Sequence, residues 1–178
     1  ADNAAERIRY WNSRGMRGLR IFTVGSTMTT QTTFLDDPRS FPAWKQVEEL
    51  GWPMCLQVRV PGLGMAKTMI EKFPNVRVII DHLLGVEADD GPPYKKADPL
   101  FELVKYPNVY LKLTSNSARA SKKGAADSKS FFSRVVGEFG SSRIAWGSNF
   151  PASTGSLKEI LDESKGALSF LPEADQLN

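Results

Sequence analysis

The chain has 178 residues, and 41% of them are hydrophobic, which is enough to bury a core and predicts one domain over residues 1–178. Its 23 Lys and Arg residues against 20 Asp and Glu residues leave a net charge of +3 that is spread along the sequence. A nucleic-acid-binding protein would concentrate its basic residues, so we expect no nucleic-acid partner.

Cysteine content and hydropathy argue against disulfide-bonded, zinc-binding and membrane-spanning proteins. One cysteine, Cys55, rules out an intrachain disulfide and a cysteine-built zinc site. The longest apolar runs are far shorter than the roughly 20 residues that cross a bilayer, and the polar N-terminus is unlike a signal peptide. We therefore expect no membrane partner and a cytoplasmic location.

In chain order, one module of a helix, a Gly or Pro break and an apolar strand occurs five times. The helical patterns cover 4–14, 42–50, 65–73, 100–104 and 131–139, and a last helix begins at 157. The strand patterns cover 18–22, 53–60, 76–82, 109–113 and 144–147. Polar loops are predicted at 25–40, 85–99 and 115–127.

Strands that alternate with helices and are apolar throughout indicate an α/β fold with a parallel sheet. No strand is followed by GxGxxG or by GxxxxGK[ST], the phosphate-binding loops of nucleotide-binding open sheets. The long loops all follow strands and the breaks before strands are tight, which favours a (β/α)8 barrel over an open sheet. In such a barrel the active site lies at the long-loop end.

The stretch 76–85, VRVIIDHLLG, ends an apolar run on Asp81 and His82, the latter being the only histidine of the chain. A buried strand that ends in polar residues delivers them to the sheet edge where parallel-sheet enzymes keep their chemistry. A lone histidine at a strand end is also compatible with a purely structural role.

Several motifs together resemble the amidohydrolase-related proteins (amidohydrolase 2), specifically the group with the pyrone-dicarboxylate and sugar-acid lactonases. They are GMRGLRIF, DPRSFPAWKQVEELGWPMCLQV, FPNVRVIIDHLLG, YPNVYLKLTS and RIAWGSNFP, which span about residues 15–151. The resemblance implies a (β/α)8 barrel of which this chain supplies about strands four to eight and looks truncated at both ends. A partial barrel exposes an apolar strand edge, so a homo-oligomer is expected.

The resemblance also implies an activity, which is water attack on a lactone or ester of a small carboxylic acid. His82 would polarise the carbonyl group, and Asn149, where many members have an aspartate base, would orient water or substrate, because an amide cannot take a proton at neutral pH. Asn149 also suits a turn before proline. Arg20, at the end of strand four, would bind a carboxylate with its planar guanidinium, or form a surface salt bridge.

The remaining candidates concern substrate and metal binding. Gln57 stands where metal-dependent relatives carry a strand-five histidine, and Arg59 and Lys112 are weaker carboxylate-binding candidates. The chain lacks the family's His-x-His pair, so His82 is the only possible ligand of the usual set. We expect no cofactor, although a divalent metal such as zinc stays conceivable. Trp52 and Trp146 are predicted to be core residues.

Two alternatives stay open. Related barrels also decarboxylate aromatic acids with the help of a metal. The second alternative is that the chain is a catalytically inert fragment or a self-associating module.

Overall fold

The computed structural model of the protein describes residues 3–23 and 35–176. The chain divides into two compact units, of which the first comprises Ala1–Asp81 and Tyr106–Val109 and the second His82–Lys105 and Tyr110–Asn178. Helices alternate with strands in both units, and the strand pairs within each unit are parallel, so the predicted α/β class is confirmed. The single domain over residues 1–178 stays a prediction.

Among its described residues, 3–23, 35–81 and 106–109, the first unit contains three parallel strands and three helices. Its strands are β1 (Leu19–Phe22), β2 (Met54–Gln57) and β3 (Val78–Ile80). Its helices are α1 (Ala4–Ser13), α2 (Phe41–Glu49) and α3 (Leu63–Lys72). Strand β2 lies between β1 and β3, with Leu56 opposite Ile21 on one side and opposite Ile80 on the other.

The core of the first unit is formed by alternate residues of its strands and by one face of each of its helices. Alternate residues of β2 and β3 are fully buried, because successive side chains of a strand point to opposite faces. Helix α2 buries Trp44 and Val47, and helix α3 buries Ala66 and Met69. The fully buried members are Trp44, Val47, Met54, Leu56, Ala66, Met69, Val78 and Ile80. Trp52 is also buried, as predicted, and its Nε1 donates to Asn12 Oδ1 at 3.2 Å.

The second unit contains two paired strands and five helices among its described residues. Strand β4 (Val109–Leu113), whose first residue belongs to the first unit, is parallel to β5 (Ile144–Trp146). The helices are α4 (Asp98–Phe101), α5 (Ser115–Ala120), α6 (Ser128–Phe139), α7 (Leu157–Leu168) and α8 (Glu173–Gln176). Buried side chains of β4, α6 and α7 form the core, among them Leu111, Leu113, Phe132, Val135 and Ile160.

The predicted loop at 115–127 is wrong in its first half, where α5 forms. Ser and Asn are weak helix formers, so the sequence gives little helical signal there. Packing decides the structure instead, because Ala118 is fully buried and Arg119 Nε donates to Glu163 of α7 at 2.8 Å. Arg119 Nη2 also donates to the Thr154 carbonyl at 2.8 Å. Tertiary contacts therefore override local propensity.

Other boundaries differ by a few residues. Strand β2 ends at Gln57 rather than at residue 60, because Val60–Gly62 forms a 3-10 turn around Pro61. Helix α4 begins at Asp98, inside the predicted loop 85–99. Of the predicted loop 25–40, residues 25–34 lie outside the described part, and Pro38–Ser40 forms a 3-10 turn.

Trp146 contradicts its predicted core position, since it is 41% exposed at the carboxyl end of β5. Among the described helices, none combines the length and the apolar content that a membrane span requires.

Candidate functional site

Arg20 and Asp81 form an ion pair within the first unit. Arg20 lies inside β1 rather than at the strand end where the sequence placed it, and its Nη2 donates to Asp81 Oδ2. The Asp81 side chain is fully buried, whereas that of Arg20 is 40% exposed. The guanidinium also lies 4.6 Å from the centroid of the Phe22 ring. Arg20 is thus held by a buried carboxylate while part of its surface stays open.

The register of β1, β2 and β3 explains why these groups meet. Arg20 lies opposite Cys55, which lies opposite Ile79, so their side chains emerge on one face of the sheet. Gln57 lies on this face at the end of β2, is buried, and accepts a backbone hydrogen bond from Thr23 at 3.1 Å. Arg59 follows β2 in the same unit and is half-buried.

Strand β3 is followed by a left-handed turn, which the sequence did not predict. His82, Leu83 and Leu84 have φ values of 54°, 50° and 60°, and Gly85 has 64°. The left-handed region costs an L-residue with a Cβ atom about 1–2 kcal/mol. Leu83 and Leu84 are almost completely buried, and this burial offsets the strain. Non-glycine residues held in such conformations cluster at functional sites.

His82 lies at the start of this turn, inside the second unit. It is 8% exposed, and its Nδ1 lies 3.0 Å from Thr114 Oγ1. Thr114 is fully buried and occupies the N-cap position of α5, directly after β4. The histidine ring is therefore fixed by a residue at the carboxyl end of a parallel strand.

Asn149 lies in the segment after β5, with φ 55°. Its Nδ2 donates to Ser153 Oγ at 2.9 Å, and Ser115 Oγ donates to the same oxygen at 3.0 Å. Ser115 and Ser153 are both buried. The amide group is thereby oriented, and no described residue donates to its Oδ1, which leaves an acceptor for water or substrate.

Hydrogen bonds connect both His82 and Asn149 to the carboxyl end of β4. His82 bonds to Thr114, and Asn149 reaches the adjacent Ser115 through Ser153. Thr114, Ser115 and Ser153 were not predicted from the sequence. The signal was available for the first two, since two hydroxyl residues directly follow the apolar strand in YPNVYLKLTS.

Lys112 lies on β4 in the second unit and is half-buried. Its stem crosses Gly147, where an added Cβ would lie 3.0 Å from Lys112 Cδ. A glycine at this position therefore leaves room for the lysine side chain.

Among the described residues, the side chains around His82 do not form the ligand set of a metal centre. Within 3–23 and 35–176, no group of three or more His, Cys, Asp and Glu side chains is placed to hold a metal ion. His82 is the only histidine, and its Nδ1 faces a hydroxyl group rather than the carboxylate or carbonyl that usually accepts from a metal-bound histidine.

One comparison with known proteins shows the family. The Amidohydrolase family model (Amidohydro_2) matches residues 1–176. A search of curated proteins gave no match.

Solved structures share the fold. A proposed 2-pyrone-4,6-dicarboxylic acid hydrolase from Pseudomonas putida has a TM-score of 0.73 and 16% identity, over 97% of this chain and 63% of that one. An amidohydrolase from Burkholderia multivorans with bound zinc has a TM-score of 0.72 and 19% identity, over 99% and 65%.

A dihydroxybenzoic acid decarboxylase from Polaromonas sp. JS666 with bound manganese and the inhibitor 2-nitroresorcinol has a TM-score of 0.64 and 16% identity, over 97% and 60%. The chain thus spans less than two thirds of the length of each of these three proteins. Its alternating helices and parallel strands correspond to part of their (β/α)8 barrel. The chain belongs to the amidohydrolase family, as its strand-end motifs predicted.

Proposed function

We propose that the protein to which this chain belongs catalyses water attack on a lactone or ester of a small carboxylic acid. The observation that supports the proposal is that two sets of hydrogen bonds reach the carboxyl end of β4. His82 bonds to Thr114, and Asn149 donates to Ser153, which also accepts from Ser115, the residue next to Thr114. Active sites of parallel barrels lie at this end of their strands.

Each residue has a role that its contacts support. The His82 ring, held at Nδ1, is suited to polarise the substrate carbonyl through Nε2. Asn149 orients the attacking water or the substrate through Oδ1, because its Nδ2 is engaged by Ser153. An asparagine does not remove a proton at neutral pH, so Asn149 orients the water and the carbonyl group that His82 polarises is the electrophile. The water oxygen bonds to the carbonyl carbon, the ester C–O bond breaks, and the water proton passes to the alkoxide that leaves.

A carboxylate on the substrate needs a cation, and Lys112 is the candidate of the second unit. Its stem is confined against Gly147, which limits the positions that its ammonium group can adopt. Arg20, Gln57 and Arg59 stay predictions as substrate-binding residues of the first unit. Only one guanidinium nitrogen of Arg20 donates to Asp81, so the other donors can serve a second carboxylate.

The experiment is an assay of the 178-residue chain against a panel of small lactones that carry a carboxylate, with and without a chelator. We expect turnover that survives the chelator and falls about 100- to 1,000-fold in His82→Ala, the effect of losing a donor to a developing oxyanion. The control is Thr68→Val, an exposed helix position whose hydroxyl donates to the Gly64 carbonyl.

Several results would contradict the proposal. Unchanged turnover in His82→Ala removes its central residue, and absence of turnover with every lactone favours the inert alternative. Release of carbon dioxide from 2,6-dihydroxybenzoate, restored by added manganese, would favour the decarboxylase alternative, which likeness to the manganese-containing decarboxylase supports. Sizing of the same preparation tests the expected homo-oligomer, and its metal content tests the expected absence of a cofactor.

A further inference from the structure

Thr114 occupies a capping position but does not cap. It has extended φ and ψ angles at the N-cap of α5, yet its side chain accepts no hydrogen bond from that helix. Threonine at this position ordinarily accepts from a backbone N–H of the first turn. The side chain is instead directed at the His82 ring, 3.0 Å from Nδ1.

The burial of Thr114 determines which group donates. A hydroxyl group has one proton and two lone pairs, and a buried proton without an acceptor is costly. The Thr114 side chain is completely buried, and within residues 3–23 and 35–176 its oxygen has His82 Nδ1 as its hydrogen-bond partner. If Nδ1 carried the proton, the hydroxyl proton would be buried without an acceptor. The hydroxyl group therefore donates, and Nδ1 accepts.

We infer that Thr114 is a positioning residue that holds the neutral His82 ring in the tautomer with its proton on Nε2. The inference deepens the proposed function, on which its catalytic meaning rests. An Nε2–H group donates to a carbonyl oxygen, which is the role proposed for His82. The same nitrogen then has no lone pair for a metal ion, since a metal-bound Nε2 requires the opposite tautomer.

The test uses the fact that His82 is the only histidine, so a nitrogen-15-labelled chain gives one ring pattern in a long-range proton–nitrogen correlation spectrum. At a pH where the ring is neutral, we expect a pyrrole-type Nε2 and a pyridine-type Nδ1. In Thr114→Val the two nitrogen shifts should move toward each other as the tautomers mix. Thr114→Ser should restore the wild-type pattern, and Thr68→Val should not change it.

Three results would overturn the inference: a wild-type ring protonated at Nδ1, a Thr114→Val ring with unchanged tautomer, or a ring that loses its Nε2 proton to added zinc. If Thr114→Val does not fold, the tautomer of the wild-type ring and its response to zinc still test the inference. Failure of the proposed function is separate, because it is measured as turnover. An Nε2–H ring in a chain without lactone hydrolysis would keep the inference and reject the function.

Discussion

Strands β3 and β4 begin in the same way and end differently. An aromatic residue, Pro, Asn and Val occur at the start of each strand, with Val76 two residues before β3 and Val109 as the first residue of β4. In each case the Val amide donates to the aromatic residue's carbonyl at 3.1 Å. After β3 the chain enters a left-handed turn from His82 to Gly85. After β4 it passes directly into α5.

The difference shows which flank of each strand has a conformation determined by neighbouring residues and which has one determined by tertiary contacts. The turn before the strand is set by proline and its neighbours within four residues. The segment after the strand is set by what its side chains reach, namely a buried pocket for Leu83 and Leu84 and the Thr114 hydroxyl for His82. Polar and strained residues therefore collect at the carboxyl ends.

The largest expected effect tests what holds the left-handed turn. Leu84→Ala should lower the free energy of unfolding by about 2–5 kcal/mol, because it removes a fully buried side chain and the burial that offsets backbone strain. Equilibrium unfolding in urea measures it. The control Leu157→Ala, at a 51% exposed position, should stay within about 0.5 kcal/mol. A cost near that of the control would show that Leu84 does not hold the turn.

The next effect concerns Gly85, which ends the turn at φ 64°. Gly85→Ala should cost about 1–2 kcal/mol, because a Cβ atom disfavours the left-handed conformation. Gly137→Ala in α6 is the matched control, since a Cβ there meets open space, and it should stabilise the protein by about 0.5–1 kcal/mol. Effects of equal sign in urea unfolding would contradict this prediction.

A third prediction compares the N-cap of α5 with that of α7. Ser156 caps α7 by accepting from the Glu159 amide, and the Glu159 side chain accepts from the Ser156 amide at 2.7 Å. Ser156→Ala should cost about 1 kcal/mol in urea unfolding. Ser169→Ala, at the other end of α7, should change little. An equally small effect at both ends would mean that the cap contributes no stability.

The same cap predicts a pH dependence. Hydrogen bonds from the Ser156 amide and hydroxyl lower the pKa of Glu159 below its ordinary value of 4.5. The stabilisation by ionised Glu159 is therefore complete above pH 4.5 and is lost as the pH falls through the lowered pKa. The stability difference between the protein and Glu159→Gln should shrink in this range. A difference that is constant down to low pH would contradict the assignment.

The smallest effects test the similar turns at the starts of β3 and β4. Pro74→Ala and Pro107→Ala should each cost about 0.4–1 kcal/mol, because each loses the same restriction of the unfolded chain. The two values should agree, since both turns have the same hydrogen bond. Thermal or urea unfolding measures them, and a clear inequality would break the equivalence of the turns.

Much of the fold could be predicted because its signals are local. The five strands were located from β-branched and apolar runs, and most helices from apolar residues at helical spacing, with Gly or Pro at the breaks. Helix α5 was missed, since Ser115 and its neighbours favour turns and only the burial of Ala118 and the Arg119–Glu163 pair make the segment helical.

The sequence names candidate residues for the site, but it does not give the hydrogen bonds between them. The position of His82 at the end of an apolar strand followed from the pattern, whereas the candidacy of Asn149 came from the family resemblance. The hydroxyl groups of Thr114 and Ser153 that orient them carry no sequence signal of a partner 32 or 4 residues away. Likewise, no local pattern relates Arg20 to Asp81, which are 61 residues apart in sequence.

The sequence by itself determined the order of elements, the parallel α/β class and the family, because strand and helix periodicities and strand-end motifs are written in neighbouring residues. Only the tertiary structure decided the left-handed turn, the uncapped start of α5 and the partners of His82, Asn149 and Arg20. These features depend on burial and on hydrogen bonds between distant residues, and such interactions outweigh local preference where a buried polar group requires a partner.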